Sequence, residues 1–64
     1  MRTTVFRDLM SQEFGELRAG SIARDHVFTD LGGRTVEEAL AAGLPAQRIW
    51  LAVCEAFDVP PERR

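Results

Sequence analysis

Among the acidic, histidine and cysteine side chains of this 64-residue sequence, Glu13, His26 and Cys54 are the three whose positions could carry acid-base or metal chemistry. A carboxylate beside an imidazole in a partly buried setting can move a proton, and the two with a thiolate can hold a metal ion. Glu13 falls among Phe6, Met10 and Phe14, and His26 among Ile22, Ala23 and Val27, so each interrupts an otherwise apolar helical face. Their spacing matches no ligand motif and completes no catalytic constellation. A histidine on an apolar face is more often a core or boundary residue satisfied by a carbonyl or carboxylate, which is the reading preferred for His26. Two versions of that reading have opposite signs. A buried neutral imidazole has a lowered pKa and loses stability as the pH falls below its unfolded value of ~6.5. One paired with Glu13 has a raised pKa, and its added stability is lost as the pH rises through the folded value.

Cys54 lies toward the end of an amphipathic segment with Glu55 and Asp58 close by, surroundings that favour the thiol over the reactive thiolate. It reads as a small buried hydrophobe. Gly32-Gly33-Arg34-Thr35 lacks both the spacing of a phosphate loop and a preceding strand, so it reads as a turn and a cap. No catalytic residue, cofactor site or metal site is assigned, and the chain is not expected to be an enzyme.

The elements that must position these residues are helices. Thr3 or Thr4 can cap a first helix of about residues 4–14, ended by Gly15. A second helical pattern runs from about Glu16 to Phe28, weakened by Gly20 and ended by Gly32-Gly33. Thr35-Val36-Glu37-Glu38 has the form of a capping box, opening a short third helix to about Ala42. Gly43 supplies a left-handed residue after it, and Pro45 suits the first turn of a fourth helix reaching Phe57. Val59-Pro60-Pro61 terminates that helix, and residues 60–64 are expected to fray. No alternating run of β-formers and no repeat occurs. The expected fold is all-α: a single domain over residues 1–64, built as a compact bundle of three to four short helices with a helix-turn-helix-like corner.

Size and charge narrow the function classes. A chain of 7.2 kDa buries only ~60% of its unfolded surface, so its large apolar residues are needed for one core and a deep cleft is not expected. Trp50 and Phe14 are expected in that core, where truncating either to alanine would unfold the domain. Eight Arg, no Lys and ten acidic residues give a net charge of -2, which offers no footprint for wrapping nucleic acid or coating an anionic membrane. A lone cysteine cannot form an internal disulfide, and no continuous apolar leader opens the sequence, so a cytoplasmic location is expected.

Two binding readings remain. Ala39, Gly43, Leu44, Ile49 and Ala52 follow the spacing of a DNA-binding helix-turn-helix, but the second helix offers only Gln47 and Arg48 near its start, with Glu55 and Asp58 after them. The preferred reading places an unidentified protein partner on the last helix. There Leu51 stands on the outward face, and with the edge of Trp50, Arg48 and Glu55 it makes an apolar anchor with a polar rim. A nucleic-acid-associated regulator is the alternative; no membrane partner is expected, and the oligomeric state is left open.

The run Ala23-Arg24-Asp25-His26-Val27, then Leu31-Gly32-Gly33-Arg34-Thr35-Val36-Glu37-Glu38-Ala39-Leu40-Ala41-Ala42-Gly43, then Trp50, Ala52-Val53-Cys54 and Phe57-Asp58-Val59-Pro60, resembles a short actinobacterial family, domain of unknown function 3046. The likeness extends to Phe6, Met10 and Phe14-Gly15 and so covers nearly the whole chain. Ile22 departs from it, standing where a larger aromatic is expected. The resemblance implies a stand-alone bacterial cytoplasmic protein, encoded near the recombinase and its regulator, a gene neighbourhood that would be consistent with a DNA-repair partner. It implies no activity.

Overall fold

Residues Thr3–Phe14 form the first helix, α1, in the computed structural model, which describes residues 1–64. Phe6 and Met10, one turn apart, are its buried side chains, and Leu9 and Phe14 pack beside them half-buried. The expected threonine cap is absent. Arg2 is the extended residue that precedes α1, and Thr3 and Thr4 are already inside the helix, where their hydroxyls no longer face the free amides. Gly15 ends α1 at φ +83°, a conformation that L side chains resist.

The second helix, α2, spans Glu16–Asp25 and buries Ala19, Ile22 and Ala23. It stops three residues short of the expected end because Phe28 is claimed by a non-local pairing. The Phe28 N–H donates to the Arg34 carbonyl at 3.0 Å, and its own carbonyl accepts from the N–H groups of Leu31 and Gly33. Those bonds require extended backbone at His26 and Phe28, with a 3-10 turn over Thr29–Leu31 between the paired residues. Leu31 is thereby driven into the core. Gly32 is needed at the next position for its φ of +71°; a Cβ there would also have to displace the end of the Arg34 side chain, which donates to the Leu31 carbonyl.

The third helix, α3, spans Val36–Ala41 and opens on the full capping box. The Glu38 N–H donates to the Thr35 hydroxyl at 3.1 Å, and the Thr35 N–H donates to the Glu38 carboxylate at 2.9 Å. Its C-terminal end closes as a Schellman motif: Leu44 N–H donates to the Ala39 carbonyl and Gly43 N–H to that of Leu40. The fourth helix, α4, spans Ala46–Ala56. Pro45 is the extended residue before it, with ψ 137°, rather than its first helical residue, and its carbonyl accepts the Ile49 N–H.

Helix α4 organises the core. Its buried stripe of Ala46, Ile49, Trp50, Ala52, Val53 and Cys54 packs on α1, α3 and the Thr29–Leu31 turn, while α1 packs chiefly on α2. Sixteen buried apolar residues form one contiguous cluster, each large side chain in it contributing roughly 1.5–3 kcal/mol by leaving water. The fold is all-α, a bundle of four short helices. None of these helices is long and apolar enough to cross a membrane.

After α4 the chain turns at Asp58, the one non-glycine residue with positive φ (54°), and the Val59 N–H donates to the Cys54 carbonyl. Residues 60–64, expected to fray, instead form a 3-10 turn over Pro61–Arg63 that lies against the bundle. The Trp50 indole N–H donates to the Arg64 main-chain oxygen at 3.2 Å, and Arg64 Nε donates to the Val59 carbonyl. A partner fourteen residues away in the chain leaves no local pattern from which this contact could be read.

Candidate functional site

Glu13, His26 and Cys54 are each occupied separately. Glu13, on the last turn of α1, is half-buried and takes three hydrogen bonds from the Arg63 guanidinium, Nε to Oε2 at 2.9 Å and to Oε1 at 3.2 Å, and Nη2 to Oε1 at 3.0 Å. That bond with Glu13 raises the Arg63 pKa above its already high ordinary value. His26 is exposed, just past the end of α2, and its ring packs against Phe28 at 4.6 Å and Phe57 at 5.1 Å between centroids. Neither version of the sequence expectation holds: the imidazole is not buried, and Glu13 pairs with Arg63 rather than with it.

Cys54 is fully buried. Burial pushes its thiol pKa up, the Arg64 charge opposes that, and Glu13 and Glu55 reinforce it. No three His, Cys, Asp or Glu side chains converge in metal-binding geometry, and every buried side-chain nitrogen or oxygen has a hydrogen-bond partner.

The polar-rim surface expected on the last helix divides into two parts. Arg48, Leu51 and Glu55 are exposed on α4, as the stripe spacing requires. Trp50 is 1% exposed, its ring set edge-on to Phe6 at 6.2 Å between centroids, so its surface is already committed to the core. Its expected edge contribution to a partner surface is therefore removed. A helix presents positions i and i+1 about 100° apart, so Trp50 turns inward to Phe6 and the Arg64 main-chain oxygen while Leu51 faces water. Glu55 is not a free rim residue either, since Arg64 Nη1 donates to its Oε1 at 2.8 Å.

Beside this stripe lies an open groove of ≈ 270 Å³ that the sequence reading did not anticipate. One wall is α4, where Ala52, Glu55 and Ala56 fall at i, i+3 and i+4; the other is the extended segment from His26 to Asp30. The groove exists because both α4 residues on its floor are alanines, and because α2 stops early and leaves Val27 outside the core. Val27, in the lining, is 55% exposed, and Leu51, outside the lining but one turn before Glu55 on α4, is 46% exposed. The alanine pair on α4 was the available sequence signal. Its meaning depended on the end of α2, which local periodicity misplaced by three residues.

Helices α3 and α4 do meet in the tight corner read from the spacing of Ala39, Gly43, Leu44, Ile49 and Ala52. Ala39 and Ile49 are fully buried in it, and Gln47 and Arg48 are exposed at the start of α4. Arg48 is the one cationic side chain on α4.

No curated protein and no solved structure matches the chain. The family model that does match carries the description "Protein of unknown function (DUF3046)" and aligns with residues 1–62, so the chain belongs to that family.

Proposed function

We propose that this protein is a small interaction module without catalytic activity that docks a partner protein on the exposed side of α4. The observation that carries the reading is an open groove that has the exposed Val27 in its lining and the exposed Leu51 one turn from Glu55 of its α4 wall; Met1, Val5 and Leu17 are exposed as well, but none of them lines the groove. Small floor residues leave room for a partner's side chain, and charged Arg48 and Glu55 border the apolar surface. The proposed setting is the bacterial cytoplasm.

The test is affinity recovery from an extract of the native cells, with wild type and Leu51→Asp compared after circular dichroism has shown equal helicity. A recovered partner is then purified and titrated into labelled protein. Loss of the partner in the variant, with amide shifts confined to residues 26–30 and 48–56, supports the reading; equal recovery by both proteins sinks it.

The alternative, a nucleic-acid-associated regulator linked to recombination or repair, draws on the α3–α4 corner with Gln47 and Arg48 at the start of its second helix. A single cation on that helix and a net charge of -2 weigh against it. A salt-dependent shift of duplex DNA that disappears in Arg48→Ala would put it first.

A further inference from the structure

We infer that the groove beside α4 takes a short cationic segment of a partner, an aliphatic side chain seated over Ala52 and Ala56 with an Arg or Lys beside it. This rests on the interaction reading above and adds the chemistry of the occupant. The groove's volume of ≈ 270 Å³ lies below the ~300–1,000 Å³ of sites that bury small ligands, and it is open along one side. It therefore suits one or two side chains of a longer polypeptide better than an enclosed small molecule.

Its charge is one-sided. The lining carries two carboxylates, Asp30 and Glu55, and no arginine. Asp30 forms no ion pair within the chain, while Glu55 uses only Oε1, on Arg64, and keeps its side chain largely in water. Arg64 on Glu55 is itself an instance of a guanidinium received at this rim. Arg48 lies one turn nearer the start of α4 and outside the lining, and His26, the one titratable base in the wall, packs on Phe28 and Phe57. Asp25 and Asp58, next in sequence to His26 and Phe57, are exposed and unpaired as well. An aliphatic floor beneath the unpaired Asp30 carboxylate and the free oxygen of Glu55 is complementary to a side chain of the same apolar character flanked by positive charge.

The test uses a library of random twelve-residue peptides displayed on phage, panned on the intact protein and counter-selected on Ala56→Arg. Ala56 is exposed at the last position of α4, so the variant fills the groove and adds a positive charge without touching the core. Asp30→Asn serves as a second variant that changes charge without bulk. The expected winners carry Leu, Ile, Val or Met next to Arg or Lys. As synthetic labelled peptides followed by fluorescence anisotropy, they should bind Ala56→Arg at least tenfold more weakly, and Asp30→Asn about three- to fivefold more weakly. Neutral or acidic winners that Ala56→Arg still rejects would overturn the cationic occupant and leave the docking groove standing. Cationic winners indifferent to both variants would overturn the groove as their site. No peptide whose recovery depends on Ala56 would overturn the occupant and the interaction reading together.

Discussion

The Glu37 carboxylate and the Arg7 guanidinium form the ion pair that joins α1 to α3, with two hydrogen bonds at 2.5 and 2.8 Å. The hydrogen bonds from Arg7 hold the Glu37 pKa below its ordinary value; partial burial opposes this, and the charges of Arg7 and Arg24 add to it. A carboxyl group whose folded pKa is depressed stabilises the fold above its unfolded value of ~4.3, and that contribution is lost as the pH falls through the folded value. Both side chains are more than two-fifths exposed, so solvent screening limits the pair to about 0.2–1 kcal/mol. Glu37→Gln should thus lower the unfolding free energy at pH 7 by an amount in that range, read from urea titrations, and the two proteins should converge once the pH has fallen below the folded value of Glu37. A difference that persists unchanged in acid would show that the pair is not its source. Neither partner could be matched from the sequence, because thirty residues separate them and many other Arg–Glu pairings were equally open.

At the scale of the element, the parts legible in the sequence were those specified by near neighbours. The capping box of α3 and the glycine closing it involve bonds spanning three to five residues, and both ends of that short helix were readable from Thr35, Glu38 and Gly43 alone. The end of α2 was not, because the Phe28–Arg34 bridge overrides an apolar period that continues through His26 and Val27. That one misplacement hid the groove, since it put Val27 and His26 on a buried face when both are exposed. Gly20, in the interior of α2, tests how far the helix is held by packing rather than by propensity. A Cβ at this position would meet only the flexible end of Arg24, whose Nη1 lies 3.1 Å away and can swing into solvent. Gly20→Ala should therefore stabilise the protein by about 0.8–1 kcal/mol, read as a higher denaturant midpoint with an unchanged slope. A lower midpoint would mean that the Arg24 position is fixed and that the small residue is required beside it.

For the whole molecule, one side chain connects the core to the segment that closes over it. Trp50 is buried against Phe6 and donates its indole N–H to Arg64, while Arg63 and Arg64 fasten the same segment to Glu13 and Glu55. A single core of this size supports only ~3–5 kcal/mol of stability, and truncating a buried aromatic residue costs about as much. Trp50→Ala should accordingly abolish cooperative melting, because it opens a cavity and releases the 60–64 turn in one step. Phe14, expected from sequence to be equally critical, is half-buried at the edge of the core and pairs with Phe57 at 5.2 Å between centroids. Phe14→Ala removes less buried surface and should leave a cooperative melt at a lower midpoint. Trp50→Phe separates the two roles of the tryptophan. It keeps most of the apolar ring and loses the donor to Arg64, and should cost the ~0.5–1.5 kcal/mol of one hydrogen bond plus a small packing defect. If Trp50→Ala melts cooperatively near the parent midpoint while Phe14→Ala does not, the core is centred on the α1 end and the account of α4 as its organiser fails.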